Sequence, residues 1–189
     1  MLHIKNMKKI VLGLSILLAF SFAACAQSGG HSENSEEGIH WLTFEQAEQK
    51  MKEHPKKVLV DIYTSWCGWC KVMARKTYTN PQLIKYVNYN FYAIKFDAEQ
   101  KEPVTFMGKK WEFVPASRAN QLAVQLMNGR MSYPTTVFME EGFKNPQAIP
   151  GYLEVYKMEG VLKFIGENID KKMSWADFQH DFKPEWEAK

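Results

Sequence analysis

The chain has 189 residues and a formal net charge of +3, and 46% of its residues are hydrophobic. This length suits one domain with a sizeable core and is too short for two. The Lys and Arg residues are scattered among Asp and Glu, without the basic block that is typical of a nucleic-acid-binding surface. We therefore expect a single domain that does not bind nucleic acid.

The N-terminus has the order of a secretory signal peptide. The lysines Lys5, Lys8 and Lys9 precede an apolar run, Ile10–Phe22, which small residues follow. This run is shorter than the roughly 20 apolar residues of a membrane-spanning helix. We therefore interpret residues 1–26 as a signal for export, with either Met1 or Met7 as the start.

Two cleavage sites fit this signal. Cleavage before Cys25, with a lipid attached to its thiol, resembles processing at a bacterial lipobox, whereas cleavage after Ala26 uses the small residues Ala24 and Ala26. We favour the lipidated form, which predicts a lipid anchor at the membrane. Residues 27–38 are polar and rich in Ser, Gly and Glu, so we expect a flexible linker there and a folded domain over residues 39–189.

Cys67 and Cys70 are the only cysteines of this folded domain. Two cysteines are too few for the disulfide framework of a small secreted scaffold, so the pair is catalytic, metal-binding or incidental. A zinc site needs two more ligands, and the spacing of His40, His54 and His180 offers none. We therefore expect neither a metal nor another cofactor.

The first half of the domain has the pattern of a helix, a strand and a second helix. A capping box at Thr43–Gln46 predicts a helix over residues 43–53. The nearly continuous apolar run Lys57–Tyr63 predicts a strand that is covered on both faces, although Asp61 interrupts it. A helix from Cys67 to about Tyr78 follows, so the first cysteine is predicted to lie at a helix N-terminus.

The second half completes an α/β order in which a βαβ unit precedes a ββα unit. The predicted elements are a helix at 81–88, a strand at 91–96, a hairpin of 104–106 with 110–113, a helix at 117–127, strands at 135–139 and 149–151, a helix at 154–168 and a short helix after Ser174. Trp175, Phe178 and Phe182 share one face of the last helix, and we expect this aromatic stripe to pack into the core.

The motif Trp66–Lys71, with the sequence WCGWCK, carries the chemistry. Two residues between cysteines on the first turn of a helix bring the sulfurs close enough for a reversible disulfide. The helix N-terminus stabilises the thiolate of Cys67 and lowers its pKa, so Cys67 is the predicted nucleophile. Cys70, which we expect to be more covered, would resolve the mixed disulfide by attacking Cys67.

The same motif, its preceding strand, Tyr133–Thr135 and Gly151 resemble the thioredoxin superfamily over residues 41–170. The resemblance implies a thioredoxin-like α/β fold, in which helices flank a central mixed sheet, and a thiol:disulfide interchange activity. The stretch 97–134 is roughly twenty residues longer than in thioredoxins, which implies a hairpin-plus-helix insertion before the cis-proline. This insertion could select a partner.

The resemblance also implies roles for particular residues. Asp61 occupies the place of the buried acid that assists proton transfer from Cys70, and the peptide bond before Pro134 would be cis and would face the cysteines. The implied substrate-binding residues are Trp66, Gly68, Trp69, Tyr133 and Pro134.

Two departures from thioredoxins bear on the chemistry. Trp69 stands where thioredoxins carry Pro between the cysteines, which leaves the redox potential open. A lysine that thioredoxins place on the strand after the active-site helix has no clear counterpart, because Ala93 falls there and Lys95 lies two residues further on. Asp61 could therefore have a different partner.

The function expected from these features is reduction of disulfides in exported proteins. Such a reductase would work in the periplasm or from a lipid anchor outside the cytoplasm, and a membrane redox partner would recharge it with electrons. Two alternatives stay open. One is a disulfide oxidase or isomerase that acts on thiol-containing exported proteins, and the other is a non-catalytic, tethered binding module with the thioredoxin fold.

Overall fold

A five-stranded mixed sheet lies at the centre of the structure, a computed structural model that describes residues 38–186. The strands are β1 Trp41–Leu42, β2 Lys57–Tyr63, β3 Phe91–Asp97, β4 Val104–Phe106, β5 Lys109–Trp111, β6 Phe113–Val114, β7 Ala119–Asn120, β8 Thr135–Glu140 and β9 Lys144–Pro150. The helices are α1 Phe44–Glu53, α2 Gly68–Lys76, α3 Pro81–Asn90, α4 Gln121–Leu126, α5 Val155–Gly166 and α6 Trp175–Asp181. The fold is the α/β arrangement that the resemblance implies.

The signal at residues 1–26, with Cys25, lies outside the described residues, as does the linker at 27–38 except for Gly38. Within residues 38–186, no helix has both the length and the apolar character that crossing a membrane requires.

The sheet has the order β1-β3-β2-β8-β9. The pairs β1–β3 and β3–β2 are parallel, and the pairs β2–β8 and β8–β9 are antiparallel. Every residue of β2 except Tyr63 is buried, which confirms the expectation of a strand covered on both faces. The register places Asp61 between Lys95 of β3 and Thr136 of β8. The acid therefore lies in the middle of the sheet.

Two apolar layers cover the faces of this sheet. On one face, α1 and the insertion pack on alternate residues of β2, such as Val60. On the other face, α2, α3 and α5 pack around Leu59 and Phe138. The capping box that predicted α1 is present, since the Thr43 side chain accepts a hydrogen bond from the backbone of Gln46 and the reciprocal bond forms. Both layers hold β2 and the start of α2 in place.

The insertion contains the expected hairpin but a shorter helix. Strands β4 and β5 turn at Met107 and Gly108, whose positive φ angles of 51° and 71° are typical of a two-residue hairpin loop. The helix predicted at 117–127 is wrong at its start, because β7 pairs there with β6 and α4 begins only at Gln121. The Asn120 side chain accepts from the backbone of Leu122 and so caps α4 after this second hairpin.

Strand β9 is longer than the 149–151 predicted. It pairs with β8 at the edge of the sheet and consists mainly of exposed residues, so no apolar run in the sequence indicates it. Pro146 is compatible with this edge position, where it need not donate to a neighbouring strand. The two-residue strand β1 was not predicted, since it is too short to show a period.

The aromatic stripe of α6 is only partly in a core. Trp175, Phe178 and Phe182 contact one another, and the first two contact Phe164 of α5, but α6 contains no buried residue. Trp175 and Phe182 line a mainly apolar groove instead, because the sheet's own layer on this face is already filled by α5.

Candidate active site

The cysteine pair lies where β2 leads into α2. Cys67 is the N-cap residue of α2, as predicted, and Cys70 lies on its first turn. The two form a disulfide with an S–S distance of 2.02 Å and a Cα–Cα distance of 5.3 Å. Cys67 Sγ accepts a hydrogen bond from the backbone N–H of Cys70 at 3.0 Å. In the reduced protein, this donor and the positive end of the helix would stabilise a thiolate on Cys67.

The expectation that Cys70 is more covered than Cys67 is wrong for this oxidised form. The exposed fraction is 4% for Cys67 and 8% for Cys70. The disulfide joins the two sulfurs, so each covers the other. What distinguishes the two cysteines is their position on the helix, where only Cys67 caps the N-terminus.

Two exposed tryptophans belong to the motif, Trp66 directly before Cys67 and Trp69 between the two cysteines. Trp66 is 63% exposed and Trp69 is 61% exposed. The Trp66 ring meets that of Tyr133 edge to face at 5.8 Å, and Trp69 stacks on Tyr152 at 5.4 Å. Large exposed aromatic side chains beside a reactive group are typical of a surface that receives a partner.

The peptide bond between Tyr133 and Pro134 is cis, as the resemblance implies. The contact between Trp66 and Tyr133 brings this bond beside the motif. The carbonyl of Pro134 accepts a hydrogen bond from Gly151 N–H at 2.8 Å, and the φ of 97° at Gly151 favours glycine there. Gly68 has open space where a side chain would begin. Of the five predicted substrate-binding residues, Trp66, Gly68 and Trp69 belong to the motif itself, and Tyr133, which precedes Pro134, contacts Trp66.

Asp61 is buried within the central strand β2. Burial raises the pKa of its carboxyl from 3.8 to about 6, while the positive charge of Lys95 and the Tyr78 hydroxyl act in the opposite direction. Lys95 Nζ lies 3.9 Å from Asp61 Oδ2, so Asp61 does have a lysine partner on the neighbouring strand. The rings of Trp41 and Tyr63 each lie 5.3 Å from the same ammonium group.

A cleft of about 480 Å³ adjoins the motif. It is lined by Trp66, Glu99, Ser117, Arg118, Met131 and Tyr133. Glu99 accepts a hydrogen bond from Trp66 Nε1 at 3.0 Å, and its charge, with that of Asp97, adds to burial in raising the pKa of Tyr133 to about 12. The insertion therefore reaches the active-site surface.

Sequence reasoning missed Glu99, Arg118 and Tyr152 in this surface, as well as Tyr78 beside Asp61. No motif spacing connects these residues with the cysteines, and only the folded chain brings them together. Across residues 38–186, His, Cys, Asp and Glu side chains form no group of three or more that could hold a metal ion.

Comparisons with known proteins agree with this architecture. The model of the Thioredox_DsbH family, described as a protein of unknown function, DUF255, matches residues 24–182. A thioredoxin-fold protein from Helicobacter pylori is 18% identical with a TM-score of 0.52, over 66% of this chain and 78% of that chain. A protein described as DsbH oxidoreductase is 12% identical with a TM-score of 0.51, over 70% of this chain and 88% of that one. At these identities the two structures show the fold alone.

Among curated proteins, the uncharacterized protein B0495.5 of Caenorhabditis elegans is 31% identical over 102 residues, which are 53% of this chain and 12% of that protein. The chain thus spans only a small part of this relative. The family match covers most of the chain and the folds agree, so the protein belongs to the Thioredox_DsbH family and has the thioredoxin fold of disulfide oxidoreductases.

Proposed function

We propose that the protein is a thiol:disulfide oxidoreductase that reduces disulfides of exported proteins through Cys67 and Cys70. The observation that carries the proposal is the position of the disulfide, with Cys67 Sγ at the N-terminus of α2 and a hydrogen bond from Cys70 N–H. The buried acid Asp61 and the exposed Trp66 support it. Together they supply a nucleophile, a proton acceptor and a surface for a partner.

The proposed reaction transfers two electrons from the dithiol to a client. The Cys67 thiolate attacks one sulfur of the client disulfide, which forms a mixed disulfide and releases the other client sulfur as a thiolate. Cys70 then loses its proton to the Asp61 carboxylate and attacks Cys67 Sγ. The Cys67–Cys70 disulfide forms, and the second client sulfur leaves as a thiolate. A membrane redox partner would return two electrons to the pair, and the proton held by Asp61 would return to Cys70.

Reduction is the proposed direction because WCGWCK with a buried acid resembles reductive thioredoxin-like proteins, whereas strong oxidants usually carry His before the second cysteine. A disulfide oxidase or isomerase would use the same residues and differ in reduction potential. The proposed location is outside the cytoplasm, which the signal pattern of residues 1–26 supports, with a lipid anchor on Cys25.

Serine variants of the two cysteines test this function. Dithiothreitol reduces insulin slowly without a catalyst, and we expect Cys67→Ser not to raise this rate. Cys70→Ser should instead trap a mixed disulfide on Cys67, because no resolving thiol remains. Cys25→Ser is the matched control and should leave the catalysed rate unchanged. If the wild-type protein, like Cys67→Ser, does not raise the rate above the uncatalysed one, the result would favour the binding module.

A further inference from the structure

Two of the buried hydroxyls without a hydrogen bond of ordinary geometry belong to residues beside Asp61. Within the described part of the chain, the side-chain oxygens of Thr64, Tyr78 and Thr136 are buried and have no hydrogen bond of ordinary geometry. A buried polar group without a partner costs free energy, and such groups often mark a functional role. Thr136 is paired with Asp61 across the sheet, and Thr64 follows Asp61 by three residues. Thr136 therefore lies directly across the sheet from the buried acid, and Tyr78 is the second hydroxyl residue beside it.

The Tyr78 hydroxyl has two polar neighbours, which are the Asp61 carboxyl and the Thr136 hydroxyl. Burial and the nearby carboxyl raise the pKa of Tyr78 well above its ordinary value, so this hydroxyl keeps its proton and acts as a donor. A hydroxyl can rotate between neighbours without moving its ring.

The ring of Tyr78 is held in place by a residue that also contacts the lysine partner of Asp61. Trp41 meets the Tyr78 ring edge to face at 5.1 Å, and the Lys95 ammonium lies 5.3 Å from the Trp41 ring. Trp41 therefore braces the two side chains that favour ionisation of Asp61. The short strand β1 contributes to the site in this way.

We propose that Tyr78 is a positioning residue for Asp61, whose hydroxyl turns to donate a hydrogen bond to the carboxylate once Asp61 is ionised. The inference rests on the proposed function, in which that carboxylate accepts the proton of Cys70. When the proton arrives, the carboxyl no longer needs the donor, and the hydroxyl can turn to Thr136. Tyr78 itself gains and loses no proton in this step.

Other ionisable groups face Asp61 and remain in a Tyr78 variant. They are Lys95 on β3 and Tyr63 on β2. Lys95 favours the carboxylate by its charge, whereas Tyr78 would do so by a directed hydrogen bond. Loss of the hydroxyl should therefore raise the pKa of Asp61 without abolishing its ionisation.

The test compares Tyr78→Phe with Tyr92→Phe in the full chain. Tyr92 is a matched control, because its hydroxyl donates to the carbonyl of His54, away from Asp61. The measurements are the pH dependence of mixed-disulfide resolution and the Asp61 titration by carboxyl carbon NMR. For Tyr78→Phe, both midpoints should rise by about one pH unit, the size expected for a hydrogen bond to a charged group. Tyr92→Phe should leave both unchanged.

Unchanged midpoints in folded Tyr78→Phe would overturn the proposal. If this variant fails to fold, fluorotyrosine at position 78 keeps the shape and is a stronger donor, so both midpoints should fall. Midpoints that stay or rise with fluorotyrosine would overturn the proposal equally. If the wild-type protein performs no exchange, the proposed function fails, but the NMR titration still tests the contact between Tyr78 and Asp61.

Discussion

Asp61, the proposed proton acceptor, also affects the stability of the fold. Its pKa is raised from 3.8 to about 6 by burial, so the folded protein favours the protonated acid more than the unfolded chain does. This contribution to stability is fully present below about pH 4 and is lost as the pH rises through about 6. At neutral pH, ionised Asp61 in the sheet therefore lowers the free energy of unfolding.

Asp61→Asn should remove this cost. We expect the free energy of unfolding to rise by about 3 kcal/mol at pH 8, which is the shift converted at 1.36 kcal/mol per pKa unit, and to change little at pH 4. Urea unfolding of the oxidised protein at the two pH values measures the difference. An equal effect at both values would contradict the explanation. The same variant should slow resolution by Cys70.

The identity of the central residues could be predicted from sequence, but their partners could not. Cys67, Cys70 and Asp61 are recognisable by spacing and by a charge within an apolar strand. Lys95 faces Asp61 only because β2 and β3 pair in one register, which the sequence does not reveal. The same holds for Tyr78, which lies beyond the end of α2.

At the scale of elements, the insertion is the part of the chain that extends the active-site surface. The loop between β6 and β7 places Arg118 in the cleft beside Trp66, with a φ of 54°. Within residues 38–186, no carboxylate forms a salt bridge with this guanidinium. Under the proposed function, its charge is available to a client segment that enters the cleft.

Arg118→Glu should therefore change the choice of client. The test uses two disulfide peptides that differ in one residue beside a cysteine, which is Asp in one and Lys in the other. We expect the preference for the Asp peptide, measured as the ratio of the two kcat/KM values, to fall about threefold in the variant, which is the scale of an exposed ion pair. Reduction of a small uncharged disulfide should stay the same. Lys85→Glu, which lies on α3 outside this cleft, is the control. An equal loss for both peptides would indicate damage to the site instead.

The C-terminal segment is held by a buried carboxylate on α5. Glu159 is 0% exposed and accepts hydrogen bonds from the backbone N–H groups of Glu185 and Trp186, and its charge is paired with Lys163 at 2.8 Å. The burial of this acid could not be predicted from the sequence, because its hydrogen-bond donors are backbone N–H groups, which every residue except proline carries.

Glu159→Gln should loosen this segment. Loss of charged hydrogen bonds predicts a fall of about 2 kcal/mol in the free energy of unfolding and faster proteolysis near the C-terminus. Chemical unfolding and limited proteolysis with mass spectrometry measure both effects. The control is Glu167→Gln at an exposed position, which should change neither the free energy of unfolding nor the rate of proteolysis. A fall of about the same size in the free energy of unfolding of this control would contradict the role given to Glu159.

On the scale of the whole molecule, the sheet explains why the fold could be predicted more fully than the surface around the site. Runs such as Lys57–Tyr63 and the capped helix α1 follow from local periodicity and from burial on both sides of the sheet. The edge strand β9 is mainly exposed, and β6 and β7 are only two residues long, so neither segment shows that periodicity. The cleft lies among such segments.

The reduction potential of the Cys67–Cys70 pair tests the central claim most directly. The protein is equilibrated with glutathione buffers, and the redox state is measured by alkylation of the two thiols or by Trp69 fluorescence. We predict reversible exchange with a potential near that of thioredoxin, about −270 mV. A potential between about −180 and −120 mV would contradict the reductive direction. Absence of exchange at every glutathione ratio would contradict the catalytic role itself.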